Sequence, residues 1–146
     1  MAKKTAKPKT AAKKAKPTTT VKNAKSRTSV SPDRRIVRLV ARLTEDPEDG
    51  FPLTFEVVLS GSNIQDGRAY LGFQGTLSGE LSPFVLLPDG RLDFGVAYEI
   101  DADRYTTINI LSKEIELGTL FTTSEVDPDT DKSREYVYAI RQIVPL

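Results

Sequence analysis

The stretch that decides the fold runs from Pro88 to Ile100 and reads PDGRLDFGVAYEI. Its first four residues are typical of a tight turn, because proline presets φ and glycine tolerates positive φ. After the turn, apolar side chains alternate with polar or small ones as far as Ile100, and this period of two is the signature of a β-strand. We therefore predict an antiparallel hairpin here. The side chains predicted to face the interior or a second sheet are Leu92, Phe94, Val96, Tyr98 and Ile100.

Seven other segments carry the same strand signature, and turns rich in glycine, proline and aspartate separate them. They are residues 35–43, 53–60, 69–77, 81–87, 105–111, 115–123 and 135–144. No segment shows a convincing helical period. About eight strands spaced roughly 10–14 residues apart predict an all-β fold, namely an antiparallel β-sandwich or barrel, with a jelly-roll-like form among the options.

Several of these strands carry more detailed predictions. The inward faces of the first two are predicted to be Val37, Leu39, Ala41 and Leu43, and then Leu53, Phe55, Val57 and Leu59. Leu71, Phe73 and Leu77 share one face of the third strand. Pro83 fits an edge strand or a bulge, because proline cannot donate a ladder hydrogen bond. Gly118 is a candidate bulge.

A segment of different chemistry precedes the strands. Residues 1–32 contain nine Lys, one Arg and no acidic residue, and they therefore carry +10. In the first 30 residues the only branched aliphatic side chains are Val21 and Val30. So little apolar surface cannot offset a chain entropy of about 1–2 kcal/mol per residue. We divide the chain into a disordered arm rich in Lys, Ala, Pro and Thr at residues 1–33 and a β domain at residues 34–146.

The two parts have opposite charge. From Leu43 onward there are 7 basic and 19 acidic residues, which gives −12. Such asymmetry predicts that the basic arm has a partner of its own. Lysine contacts phosphate as a point charge without reading bases, so the favoured partner is DNA or RNA of any sequence. An anionic membrane surface, an acidic protein surface (the domain's own included) and a solubilising spacer are the alternatives.

The predicted nucleic-acid contacts are the basic residues of the arm and four arginines of the first strand. They are Lys3, Lys4, Lys7, Lys9, Lys13, Lys14, Lys16, Lys22, Lys25, Arg27, Arg34, Arg35, Arg38 and Arg42. Arg38 and Arg42 share the outward face, where they would continue a phosphate track from the arm. The alternative is a charged face that discourages pairing at an exposed sheet edge.

The composition of the arm and the plan of the whole chain each resemble known classes of protein. Ala6-Lys7-Pro8 recurs as Ala15-Lys16-Pro17, and this composition resembles the tails of linker histones and some bacterial nucleoid proteins. A basic arm ahead of an eight-stranded β domain resembles the plan of small viral coat proteins. Both likenesses imply binding of nucleic acid and assembly.

Composition excludes most catalytic classes. The chain has no His and no Cys, which removes Ser-His-Asp triads, thiolate nucleophiles and metal sites built on those ligands. We expect no cofactor and no enzyme activity, with a carboxylate-based hydrolase as the remote alternative. The loop from Asp127 to Glu135 has carboxylates at positions 1, 3, 5 and 9 of a calcium loop. It has Lys132 at position 6 and Tyr138 at position 12, so an acidic hairpin loop is favoured.

These observations predict a non-enzymatic structural or assembly protein. Its β domain would self-associate as a homo-oligomer or dock a protein partner. The alternative is an accessory or decoration module whose arm binds an acidic protein. No apolar stretch reaches the roughly 18 residues of a membrane span, and no apolar core of a signal peptide is present. We expect an intracellular location (cytoplasm, nucleoid or nucleus) or a virion, and no secretion by a signal peptide.

Overall fold

Alternating side chains in the folded part produce strands almost throughout. The computed structural model describes residues 33–48, 51–96, 104–127 and 129–146, so the predicted disorder of the arm lies outside the described residues. The strands are β1 Arg34–Leu43, β2 Leu53–Ser60, β3 Asn63–Ile64, β4 Tyr70–Gly75, β5 Leu81–Leu86, β6 Arg91–Asp93, β7 Tyr105–Ile108, β8 Leu120–Val126 and β9 Ser133–Pro145. One short 3₁₀ helix spans Ile110–Ser112.

The strands form a closed antiparallel barrel. Each long strand pairs with its neighbour along the chain, and β1 pairs with both β2 and β9, which closes the sheet into eight strands. The two-residue β3 is an addition to the end of β2. The predicted all-β antiparallel fold is confirmed, and the barrel is the form adopted. Its up-and-down order has none of the crossed connections that define a jelly roll.

The interior is filled by the apolar faces that the period of two predicts. In β1 and β2 the side chains from Val37 to Ala41 and from Leu53 to Leu59 are buried at every second position. Phe55 lies among aromatic rings, with its centroid 5.3 Å from that of Phe84 and 6.2 Å from that of Phe121. Small eight-stranded barrels have interiors just wide enough for side chains, so this space is a packed core.

The hairpin at Pro88 forms as predicted, but its second strand is short. The Leu87 N–H donates to the Arg91 carbonyl at 2.8 Å, and Gly90 has a φ of +81°. The strand then ends at Asp93, because the carboxylate of Asp93 accepts a hydrogen bond from the Gly95 N–H at 2.8 Å and Gly95 has a φ of +93°. The hydrogen bonds of this local turn take the place of the hydrogen bonds that would continue the strand.

The predicted inward row of that strand is therefore only partly correct. Leu92 is buried, and Phe94 is half-buried with its ring 5.5 Å from that of Phe84. Val96 is 83% exposed, so its predicted burial is wrong. The predictions for Tyr98 and Ile100 lie outside the described residues.

In β4 the shared face of Leu71 and Phe73 turns out to be the outer one. Leu71 is 69% exposed, whereas Tyr70 is buried and donates its hydroxyl hydrogen to the Gln65 carbonyl at 2.7 Å. Burial raises the pKa of Tyr70. Gly72 fixes this register, because a Cβ there would overlap the Phe84 ring and the Thr54 carbonyl oxygen.

Two local predictions have different outcomes. Pro83 pairs with Phe73 of β4, while the described part of β6 pairs only with Val85 and Leu86. Pro83 therefore lies where β5 is paired on one side, as expected for proline. The prediction of a bulge at Gly118 is wrong, because this residue lies in a turn with a φ of +86° ahead of β8.

Candidate nucleic-acid interface

The four arginines predicted for the interface lie along β1, and they differ in their surroundings. Arg34, Arg35 and Arg38 are exposed, and Arg42 is half-buried. The ten basic residues of the arm lie outside the described residues. Because β1 is paired with both β2 and β9 at Arg38, this arginine does not lie on an open sheet edge, and that alternative does not apply to it.

Arg38 and Arg42 are engaged by the barrel itself. The Nε of Arg38 donates to Oε1 of Glu56 at 3.1 Å, and its Nη2 contacts the same oxygen. The Nη1 of Arg42 donates to the Pro47 carbonyl at 3.2 Å. Arg34 and Arg35 have no ion pair within the part of the chain that the structure describes, and they are the arginines nearest the arm.

The end of the barrel where β1 begins, here called the arm end, is tied together by backbone hydrogen bonds. Gly61 N–H donates to the Asp33 carbonyl at 3.3 Å, and Ile115 N–H donates to the Ser62 carbonyl at 2.7 Å. The Nδ2 of Asn63 donates to the Lys113 carbonyl at 3.2 Å. Ile64, Ile110 and Ile115 are buried beneath these segments. The root of the arm therefore shares one surface with the connections after β2 and β7.

This arrangement adds two cations that sequence reasoning missed. Arg68 lies in the connection 61–69 and is exposed, and Lys113 lies in the connection 109–119 and is half-buried. Both connections reach the arm end because the antiparallel order returns the chain there after every second strand. Sequence offered no signal for this grouping, since Lys113 lies far along the chain from Arg34.

Acidic residues concentrate at the opposite end, here called the acidic end. The described parts of the connections that start and finish there are residues 44–48, 51–52, 76–80, 94–96, 104, 127 and 129–132, and they hold seven acidic and two basic residues. The three connections at the arm end are residues 61–69, 87–90 and 109–119, and they hold four acidic and two basic residues. Among the described connections, more acidic residues therefore lie away from the root of the arm than beside it.

A second charged group on the outside of β6 and β7 was also missed. Arg104 makes a two-pronged ion pair with Asp93, with Nε–Oδ1 at 2.8 Å and Nη2–Oδ2 at 2.9 Å. The guanidinium carbons of Arg91 and Arg104 lie 4.5 and 4.9 Å from the centre of the Tyr105 ring. Asp89 neutralises Arg91 at 2.8 Å. This group carries no net charge, and its ion pair and ring contacts link β6 to the start of β7.

The ion pair between Asp93 and Arg104 is sensitive to acid. The hydrogen bond from Arg104, with a second from the Gly95 N–H, lowers the pKa of Asp93 from 3.8 to about 2. A carboxyl whose pKa is depressed by folding stabilises the fold above its unfolded pKa, and this contribution is lost as the pH falls through the folded pKa.

We expect the Asp93–Arg104 coupling to be present at pH 7 and to disappear between about pH 4 and pH 2. A double-mutant cycle of Asp93→Asn and Arg104→Gln, measured by urea unfolding at several pH values, isolates it. Because the cycle subtracts the packing of Arg104 on Tyr105, a coupling energy that stays constant down to pH 2 would contradict the assignment.

The acidic hairpin loop after β8 uses its first carboxylate for its own turn. Oδ1 of Asp127 accepts hydrogen bonds from the N–H groups of Asp129 and Thr130 at 2.9 and 3.4 Å. These bonds, the one from Asp129 foremost, lower the pKa of Asp127. Among the described residues no group of three or more carboxylates is placed to hold a metal ion.

The described residues contain no helix with the length and apolar character needed to cross a membrane. No protein-family model, curated protein or solved structure matches this chain.

Proposed function

We propose that this protein is a non-enzymatic assembly protein whose basic arm binds nucleic acid through phosphate contacts and whose barrel joins copies of the chain or docks a protein partner. The observation that carries the proposal is the separation of charge along the barrel. The +10 arm joins the barrel at the end whose connections hold four acids, and the seven acids described in the connections of the other end lie at the far ends of the strands. A polyanion held by the arm therefore meets Arg34 and Arg35 first.

The contact is expected to be blind to sequence. Nine of the ten charges in the arm are lysines, and an ammonium group lacks the fork geometry with which arginine reads guanine. Neutralising phosphates releases counterions, so affinity falls with salt at a slope of about −0.7 to −0.9 per contact. The protein should coat nucleic acid of any sequence and leave it when salt rises.

The test compares salt slopes for charge variants, using fluorescence anisotropy with two duplexes of equal length and scrambled sequence. Lys13→Gln, Lys14→Gln and Lys16→Gln together should lower the slope by about 2–3, and both duplexes should bind equally. Arg34→Gln with Arg35→Gln should lower it by about 1–2.

The matched control removes two cations from the acidic end. Lys132→Gln with Arg134→Gln should leave the salt slope unchanged, because these residues lie far from the root of the arm. An equal fall in slope for this pair would show that phosphate contacts are not organised by the arm. If the intact protein binds neither duplex at about 50 mM salt, an acidic protein becomes the leading candidate for the partner of the arm.

A further inference from the structure

One side of the barrel has several exposed apolar side chains on its outer face. This apolar wall consists of the apolar outward side chains of β9, β1, β2 and β4 and of Leu146, which follows β9, and polar side chains such as Arg38, Glu56 and Ser60 lie among them. Its most exposed members are Leu71 at 69%, Leu146 at 60%, Ile36 at 55% and Val144 at 43%. The outward side chains of β6 and β7, such as Arg91, Asp93 and Thr107, are polar.

Strand pairing groups the apolar side chains of the wall around one ion pair. Ile36 pairs with Val58 on one side, and on the other its carbonyl accepts a hydrogen bond from the Leu146 N–H at 3.1 Å. Val144 pairs with Arg38, which in turn pairs with Glu56. Exposed apolar side chains grouped in this way on a folded domain indicate an interaction site.

The arm is a poor cover for this surface. The last residue of the arm precedes β1, three positions before Ile36 in the sequence. The first 30 residues of the arm, however, offer only Val21 and Val30 as branched aliphatic anchors. Ten charged side chains in the same segment would lose hydration against the wall, at a cost that two valines do not offset. The occupant must itself present apolar side chains beside charges that match the ion pair, and within the described residues the wall does so.

We infer that a second copy of the chain packs on the apolar wall, wall against wall about a two-fold axis. The ion pair between Arg38 and Glu56 lies in the middle of the wall, and the two side chains are 45% and 46% exposed. In an isologous contact each copy presents the same patch reversed. An axis beside the pair therefore brings Arg38 of each copy to the second copy's Glu56, and the four charges alternate in sign. Neither charge is left unpaired by the loss of water.

The wall also has a recess for an anchoring side chain. A groove of about 170 Å³ lies between Thr54 and Glu56 of β2 and Leu71, Gly72 and Phe73 of β4. An apolar cavity of about 150 Å³ holds a benzene ring, so this groove has room for one aliphatic side chain of the second copy. Two-fold symmetry supplies one such anchor to each groove, and buried anchors of this type dominate binding energy.

This inference rests on the proposed function only for the statement that the barrel joins copies of the chain. The test is sedimentation velocity of the full chain without nucleic acid, in salt high enough to suppress phosphate contacts. At micromolar concentration the mass should be twice the 16.1 kDa of the chain. Ile36→Lys with Leu71→Lys should weaken the dimer by at least about 100-fold, because two buried charges would lack partners.

The matched control places the same charges on β8, which lies next to the wall and is not part of it. Leu120→Lys with Val126→Lys changes side chains that are 53% and 47% exposed, and the dimer should persist. Melting temperatures of both double variants should stay near that of the original protein. A monomeric original protein, a dimer that survives Ile36→Lys with Leu71→Lys, or equal dissociation of the control would each overturn the inference.

Charge reversal tests the two-fold pairing itself. Arg38→Glu alone and Glu56→Arg alone should each be monomeric, because like charges would meet across the axis. Mixing the two variants should restore a heterodimer. Failure of the mixture to associate would overturn the two-fold arrangement. Nucleic-acid binding is measured separately, so a dimer that does not bind DNA counts against the arm, and a monomer that does bind DNA counts against the wall.

Discussion

A chain that begins at Ser31 should fold into the same barrel and lose most of its affinity for nucleic acid. It keeps every strand from β1 to β9 and loses ten positive charges. If six to ten charges engage, the intact protein should lose about 10³–10⁵ in affinity between 50 and 200 mM salt. The shortened chain retains Arg34 and Arg35 at the arm end, so its salt slope should be no more than about 2–3.

Two measurements are needed for this comparison. Anisotropy titrations at several salt concentrations give the affinities and slopes, and thermal unfolding shows that the shortened chain is folded. Equal binding by the two chains would mean that the barrel surface contacts nucleic acid, and the role assigned to the arm would have to be given up.

Phe55→Ala should have the largest effect on stability of any single substitution in the core. Its side chain is fully buried between the rings of Phe84 and Phe121. Truncating a buried phenylalanine costs about 3–5 kcal/mol, from lost transfer energy and the cavity left behind. The free energy of unfolding of a domain is typically about 5–15 kcal/mol, so this variant should be close to unfolded at 37 °C.

Phe51→Ala is the matched control, because it truncates the same residue type where the side chain is 42% exposed. It should cost less than about 1 kcal/mol. Urea unfolding of both variants against the original protein gives the comparison. A cost at Phe55 no larger than that at Phe51 would show that the aromatic cluster does not hold the barrel together.

The sequence predicts the fold best where one face of a strand is uniformly apolar. In β1 and β2 every second side chain is apolar and buried, so the period of two identifies both the strand and its inward face. It fails at Gly95, because a side chain to backbone hydrogen bond from Asp93 ends the strand while hydropathy continues to alternate. It fails again in β4, where Gly72 occupies the inward face and contributes no hydropathy signal.

The candidate interface is harder to predict than the fold. The positive arm follows directly from the composition, and Arg34 and Arg35 follow because they adjoin it. Arg68 and Lys113 join them only through hydrogen bonds between distant segments, such as that from Asn63 to the Lys113 carbonyl. The partnership of Arg38 with Glu56 depends on strand register, which sequence alone does not fix.

The closure of the barrel through β9 has a consequence for how the chain folds. Every other pairing of the barrel joins strands that follow each other along the chain, so most of the sheet can form hairpin by hairpin. The β1–β9 pairing joins residues about a hundred positions apart. We expect it to form last, because its loop-closure entropy is the largest of any pairing in the barrel. Until then β1 and β9 are both open edges. A β9 strand from another molecule fits the same gap, so crowded refolding should yield strand-exchanged dimers that carry two complete barrels.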